Sequence, residues 1–353
     1  MPDNKNHIFI LFHLFFYVFT FVEIYFMKDC IIKIHEYMKK IMIVSVCCLM
    51  LIKVPAIAQN EKSSYISANV SAGLTSLNFS VREYDGSKSN SSDKIGVGLN
   101  AKYNYYFNKH WGIGSGLGFS IYKSRSFFNG GLSEVYDLGA FVDDDASGSP
   151  RNFNLRARIE NIEEKQNVFF LEIPLTALYQ TRFTYGKWGA FGSFGVKILM
   201  PVSRNFEVVK DARSKLNVSG FYTDNTQNFD MGAPGTPPVV QHGYGTLDNP
   251  AASLKLNNNT GLKTGFAITF DVGALHRLTA ESDLFFGPYI EYFLNDIKDK
   301  DILLLSGPAG SYHPDANNNI GKGLIYNGLL NSGHTDKVMP FSFGIKIGVR
   351  FKL

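Results

Sequence analysis

Cysteine is scarce in this chain. Of its 353 residues only three are cysteines, Cys30, Cys47 and Cys48, and all three precede residue 59. Residues 59–353 contain no cysteine, so disulfide bonds and thiol chemistry are excluded in that part of the chain. Charged side chains are also few, at 19 %, and the 35 basic and 31 acidic residues leave a net charge of +4. Nucleic-acid binding favours a clustered basic face, so we expect no nucleic-acid partner.

The N-terminal region has the pattern of an export signal. Residues 38–58 begin with Met38-Lys39-Lys40, continue through an apolar core and end in "AIA" before Gln59. This pattern predicts a signal peptide cleaved after Ala58 and a mature domain over residues 59–353. Residues 1–37 precede a complete signal peptide, so they are either an over-extended N-terminus or an extra apolar segment.

Beyond residue 59 the dominant pattern has a period of two residues. In "KIGVGLNAKYNYYF", residues 94–107, apolar side chains occupy one parity and small or polar ones the other, as in a pleated strand. A globular strand has about five or six residues, whereas a tilted membrane strand needs about 9 to 11. Eight segments show the pattern at the longer length: residues 65–75, 94–107, 111–122, 169–180, 188–200, 263–275, 283–295 and 340–353.

The connections between these segments alternate in length. The short ones are residues 108–110, 183–187 and 277–282; the long ones are residues 80–93, 124–166, 206–258 and 296–338. This alternation predicts an all-β fold, an antiparallel up-and-down transmembrane β-barrel of eight strands with short periplasmic turns and long extracellular loops. Residues 217–224 and 323–330 are expected to extend hairpins above the membrane rather than to span it.

The two faces of each strand predict two environments. The apolar face should contact lipid, while the face rich in glycine and polar residues should line the interior, where a small barrel has little room. Aromatic residues near the strand ends, such as Trp111 and Trp188, are typical of an interfacial girdle. On this parity Ile345 faces lipid, and Gly344 faces inward and is expected to tolerate serine far better than position 345 tolerates arginine.

Two stretches resemble a known family. With the export signal, "FLEIPLTALYQ" and the terminal "FGIKIGVRFKL" make residues 60–353 similar to the eight-stranded outer-membrane β-barrels of Gram-negative bacteria, in the size class of the outer-membrane protein A barrel. The resemblance implies an outer-membrane location, contact with outer-membrane lipid and recognition of the last strand by the barrel-insertion machinery. The chain departs from the family pattern by ending in Leu353 rather than an aromatic residue. We expect no peptidoglycan-binding domain after the barrel, so that anchoring role is not carried over.

Candidates for metal binding and catalysis are weak. Asp143, Asp145 and Ser147 before Gly148 resemble the start of a calcium loop, but its twelfth position is Asn154 where a bidentate glutamate is needed. Loop histidines that could serve an enzyme at the barrel rim are His242, His313 and His334, and Ser311, His313 and Asp315 alternate along the chain. Nothing in the sequence assembles them into a catalytic triad. We therefore expect no enzyme activity, no metal and no cofactor.

The interior-facing parity carries several charges. They are Lys102, Glu172, Lys197, Asp271, Glu291 and Lys346, most of them at similar mid-barrel depth. A charge in a narrow barrel must be paired or hydrated. One hypothesis is an ion-paired plug that closes the lumen, and the alternative is a wet interior. The favoured function is a structural or surface-interaction role, with a small-solute channel and a lipid enzyme at the rim as alternatives.

Overall fold

The computed structural model describes residues 62–81, 88–141, 151–181, 183, 186–211, 213–222, 242–252, 254–258, 261–306 and 324–353. The signal peptide and residues 1–37 therefore lie outside the described residues. The strands are β1 (Ser63–Val81), β2 (Lys88–Tyr106), β3 (Trp111–Phe141), β4 (Arg151–Gln180), β5 (Trp188–Val208), β6 (Lys215–Tyr222), β7 (His242–Asp248), β8 (Lys255–Leu256), β9 (Gly265–Arg277), β10 (Ser282–Phe293), β11 (Leu305–Ser306), β12 (Ile325–Tyr326) and β13 (Thr335–Lys352). Two 3-10 helices span Pro250–Ala252 and Leu329–Asn331.

Eight of these strands form a closed antiparallel ring. The hydrogen-bonded order is β3-β2-β1-β13-β10-β9-β5-β4, and pairing of β3 with β4 closes it. Each of the eight segments predicted from the period-two pattern forms one strand of this ring, so the predicted barrel is confirmed. Closure pairs the backbone groups of every strand with two neighbours, as hydrocarbon surroundings require.

Helices contribute little to the described part of the chain. None of the helices found there is long and apolar enough to cross a membrane.

The lipid-facing parity is also as predicted. Ile66, Val70, Ile345 and Ile347 are exposed on the outer wall, and Ile345 leaves 66 % of its surface uncovered. Their inward neighbours on the same strands are buried polar residues such as Asn69 and Lys346. Trp111, Tyr179 and Trp188 are exposed near the short turns, where an aromatic girdle belongs.

The prediction that residues 124–166 form a long loop is wrong over most of that range. β3 continues to Phe141 and β4 begins at Arg151, and the two strands pair through Phe141 and Arg151. Near Gly130 and Asn161 the β3–β4 ladder is offset, and Asn161 has a φ of 51°. Beyond this bulge, β4 pairs with β6 instead of β5, and β7 continues the sheet. Residues 217–222 thus extend the barrel above the membrane, as expected.

Partway along the strands the barrel interior changes from polar to apolar. This change explains why the β3–β4 hairpin extends so far. Below the inversion the interior side chains of β1 are polar, and above it they are Leu77, Phe79 and Val81. The outward residues of β3 change in the opposite sense, from the apolar Ile121 to the charged Lys123 and Arg125. An apolar interior with a polar exterior is the pattern of a barrel in water, so the inversion places the outer edge of the membrane near Leu74 and Ile121.

Above this level an apolar core fills the barrel. Interior side chains of the strands, including Phe128, Ile162 and Val168, pack with residues of the β10–β13 connection such as Leu304 and Leu329. The connection is therefore folded into the mouth of the barrel rather than spread over its rim. Its residues Leu304, Leu305, Leu324, Tyr326, Leu329 and Leu330 have no exposed surface.

The interior glycines are more constrained than the sequence suggests. Gly344 faces inward, but it lies directly opposite Gly73. A Cβ atom added at Gly344 would collide with the carbonyl oxygen of Ala72 and the Cα of Gly73. Gly344 does face inward, but the two backbones approach so closely that the interior has no free space for a serine side chain there.

Candidate functional site: the barrel lumen

All six charged residues selected from the sequence point into the barrel. Lys102, Glu172, Lys197, Asp271, Glu291 and Lys346 each expose 8 % or less of their surface. They come from β2, β4, β5, β9, β10 and β13, so strand pairing alone brings them together across the lumen. Three are lysines and three are carboxylates, so the set is formally neutral.

Two carboxylates share one lysine in the upper cluster. The Lys197 ammonium donates to Glu172 at 3.0 Å and also forms an ion pair with Glu291. Glu291 accepts a second hydrogen bond, of 2.7 Å, from the Tyr122 hydroxyl. The cluster links β3, β4, β5 and β10 across the interior, so each buried charge has a partner of opposite sign.

A second cluster lies nearer the periplasmic end. Lys346 donates to Asp271 at 2.6 Å, and Ser193 donates to the other oxygen of Asp271 at 2.8 Å. The Lys346 ammonium also lies 5.2 Å from the centre of the Tyr289 ring. Lys102 belongs to no ion pair within 4.0 Å among the described residues, so five of the six charges form two separate clusters and Lys102 lies outside both.

A further ion pair closes the periplasmic end, and the sequence analysis missed it. Arg350 donates through Nε to Asp283 at 2.9 Å and through Nη1 to the Tyr106 hydroxyl at 3.3 Å. Its guanidinium also stacks 4.5 Å from the centre of the Tyr65 ring. Arg350 and Asp283 have the interior-facing parity of Lys346 and Glu291, so the same period-two reasoning carried to the strand ends would have found them.

An aromatic layer covers the upper ion pairs. The Tyr122 ring packs edge-on against Phe170 at 5.3 Å and against Phe293 at 5.7 Å, measured between ring centres. All three side chains are fully buried. From the periplasmic end upward, the lumen is thus filled by an arginine ion pair, two lysine clusters, an aromatic layer and the apolar core.

Two buried carboxylates hold the β10–β13 connection in the mouth of the barrel. Glu164 accepts from the Leu329 amide at 2.9 Å and from the Tyr326 hydroxyl. Glu134 accepts from the Leu304 amide at 2.8 Å and contacts His334 Nε2 at 3.1 Å. Both carboxylates therefore satisfy backbone groups of the inserted connection, which would otherwise be buried without partners.

Burial has the largest effect on the pKa of the Glu164 carboxyl group. Desolvation raises the pKa of Glu164 above its usual 4.5, although the nearby Arg204 guanidinium opposes the shift. Desolvation likewise lowers the pKa of Arg204 to about 10. Both groups lie on the extracellular side of the polarity inversion, among the apolar side chains of the core.

The other candidates from the sequence do not assemble into a site. His334 is paired with Glu134, and no hydroxyl group among the described residues hydrogen-bonds to it. Asn154 lies in β4 opposite Asp137, while Asp143, Asp145, Ser311, His313 and Asp315 fall outside the described residues. In the described ranges, no group of three or more histidine, cysteine, aspartate or glutamate side chains is placed to hold a metal.

A closed ring of eight antiparallel strands with a lipid-facing apolar wall and a polar lumen defines a transmembrane β-barrel of the outer membrane. The family model described as outer membrane protein beta-barrel domain matches residues 57–237, and the chain belongs to this family. The protein is therefore located in the outer membrane. No curated protein sequence matches the chain.

Several solved outer-membrane barrels are distantly similar. Neisserial surface protein A is 12 % identical, with 83 % of this chain and 100 % of that chain covered and a TM-score of 0.27. OprG from Pseudomonas aeruginosa is 12 % identical, with 82 % and 97 % covered and a TM-score of 0.31. Ail, the attachment invasion locus protein of Yersinia pestis, is 11 % identical, with 83 % and 100 % covered and a TM-score of 0.25. These values are too low to extend any property of those proteins to this chain.

Proposed function

We propose that this protein is a closed, non-enzymatic barrel that serves the outer membrane as a structural and surface-interaction protein rather than as a solute channel. The observation that carries the proposal is the filled lumen. Ion pairs, an aromatic layer and an apolar core follow one another along the barrel axis. A solute would have to break several of these layers to cross, which makes steady conduction unfavourable.

The extracellular part supports the surface role. Strands β3 and β4 continue far above the polarity inversion, and β6 and β7 widen the sheet they form. The apolar core beneath gives this extension a rigid base, and its outer face is mostly polar, with Arg158 about half exposed. A rigid polar surface held clear of the membrane is suited to contacts with an extracellular ligand, whose identity stays open. In this proposal β13, the last strand, serves recognition by the barrel-insertion machinery.

Planar-bilayer recording tests the closed lumen. We expect little conductance from the wild-type protein. Glu172→Ala or Lys346→Ala should raise conductance, because each removes one partner of a buried ion pair. Lys337→Ala, on the exposed outer wall above the membrane, is the matched control and should leave conductance unchanged. A large, steady wild-type conductance that neither lumen substitution alters would refute the closed barrel and favour the small-solute channel.

The enzyme alternative needs a separate measurement. Lipid extracts from cells with and without the protein should have the same acyl and headgroup composition if the barrel is non-enzymatic. A product that depends on the protein and disappears with Glu134→Gln or His334→Gln would instead assign a lipid-modifying activity to the pair at the barrel mouth.

A further inference from the structure

A small cavity lies in the upper lumen, beside the carboxylates of the Lys197 cluster. It has room for about one water molecule, and residues of β1, β2, β3, β4, β10 and β13 line it. On β2 the lining includes Gly98, where an added Cβ atom would lie 2.6 Å from Ser71 Oγ. Glycine at this position therefore preserves the space inside the ring.

The polar side chains that line the cavity all end in oxygen. They are the carboxylates of Glu172 and Glu291 and the hydroxyl groups of serine, threonine and tyrosine residues. Among the described residues that form this lining, none has a basic side chain. Oxygen atoms alone, two of the groups being carboxylates, are the ligands that hard cations prefer.

The charge next to the cavity is unbalanced. Lys197 is paired with both Glu172 and Glu291, so a single ammonium group faces two carboxylates. Lys102 balances the charge of the lumen as a whole, but within the described ranges it forms no ion pair with either glutamate. One negative charge beside the cavity is therefore left without a local partner, which is costly inside a protein.

Two oxygen atoms at the cavity are open to a further partner. Ser120 lines the cavity and is only 7 % exposed, and its Oγ has no hydrogen-bond partner among the described residues. The ion pair with Lys197 uses Oε2 of Glu172, so Oε1 is left for another contact. Buried polar atoms of native proteins are satisfied by protein groups, ordered water or ions, and each exception needs an explanation.

We propose that this cavity binds one dehydrated monovalent alkali-metal cation, with the Glu172 carboxylate and the Ser120 hydroxyl among its ligands. A single positive charge balances the extra carboxylate, which a water molecule does not. Magnesium usually keeps several waters, for which the cavity is too small, and calcium would leave an excess positive charge buried. The ligands belong to the barrel wall, so the site is independent of whether the barrel conducts.

Urea unfolding of the full chain in detergent tests the site. Potassium chloride is compared with N-methyl-D-glucamine chloride at the same ionic strength, because the organic cation is too large for the cavity. A ligand that binds only the folded state raises the unfolding midpoint. We expect the wild-type midpoint to rise with potassium by about 0.5 M urea and then to level off. Heat-modifiable gel mobility verifies folding in both salts.

Three variants separate the site from general salt effects. Glu172→Gln removes the extra negative charge and should abolish the potassium-dependent shift, while Ser120→Ala removes a neutral ligand and should reduce it. Ser126→Ala is the matched control and should keep the full shift, since its buried, unpartnered hydroxyl lies on the same strand but outside the cavity. Each variant is compared with itself in the two salts, so a general loss of stability does not affect the result.

The outcomes that would overturn the site are distinct. No potassium-dependent shift in the wild type, or the same shift in all four proteins, would refute it. Crystals grown in potassium chloride give a direct test, because diffraction data on either side of the potassium absorption edge identify the ion. We expect an anomalous peak in the cavity next to Ser120. Density there without an anomalous signal would mean a buried water only and would also refute the proposal.

Discussion

At the scale of single residues, the close approach of neighbouring backbones restricts which side chains the barrel interior can hold. Gly73 and Gly344 face each other so closely that a Cβ atom on either would collide with backbone atoms of the other strand. We expect Gly344→Ala to destabilise the folded barrel by about 1–3 kcal/mol, the usual effect of overpacking. Gly333→Ala, where a Cβ atom meets open space, is the control. Urea unfolding in detergent measures the difference, and equal stability of the two variants would contradict the close approach.

The outer wall gives a second prediction at this scale. Ile345 is 66 % exposed on the lipid side, next to an interior glycine. An arginine near the middle of the membrane should lower the free energy of unfolding by about 2–4 kcal/mol. Ile345→Leu keeps the surface apolar and should have little effect. Refolding titrations in lipid vesicles measure both variants, and an arginine variant as stable as wild type would mean that the assignment of inner and outer faces is reversed.

At the scale of elements, the inserted β10–β13 connection depends on a buried carboxylate of β4. The pKa of Glu164 is raised in the folded protein, so the folded state holds its proton more tightly than the unfolded state does. The stabilisation that comes from the protonated form is complete below the ordinary glutamate pKa and is lost as the pH rises through the folded pKa. The apparent melting temperature should therefore fall as the pH rises above the ordinary glutamate pKa of 4.5 and through the raised pKa of Glu164.

Glu164→Gln isolates this contribution. An amide oxygen can still accept from the Leu329 amide, but it does not titrate in this range. The pH dependence of the melting temperature, followed by circular dichroism in detergent, should be flatter in the variant than in wild type. Glu160→Gln, on the exposed side of the same strand, should retain the wild-type slope. Identical slopes for wild type and Glu164→Gln would show that the buried carboxylate does not govern the response.

At the scale of the whole molecule, the lumen clusters couple strands that are distant in the chain. Lys197→Met leaves Glu172 and Glu291 buried without their cation and should destabilise the barrel by about 3–5 kcal/mol. The triple variant Lys197→Met/Glu172→Gln/Glu291→Gln removes all three charges and should recover much of that loss. The heating temperature at which gel mobility shifts, together with the urea midpoint of unfolding, measures the stability of both variants. A triple variant no more stable than the single one would mean that packing, not charge, explains the loss.

The sequence by itself determined the barrel and the faces of its wall. Strand alternation is a local property with a period of two residues, so Ile345 and Lys346 could be assigned to lipid and lumen without any knowledge of their neighbours. The same alternation placed six interior charges, and it would have placed Arg350 and Asp283 had it been followed to the strand ends.

Only the tertiary structure decided how those parts meet. Which lysine contacts which carboxylate depends on strand register and tilt, which no single strand encodes. The close approach of Gly73 and Gly344 depends on neighbouring backbones. The length of β3 and β4 was underestimated because their outer halves bury apolar side chains inward, against a connection more than a hundred residues further along the chain. Local pattern fixes the direction of a side chain, but its partner is a property of the closed barrel.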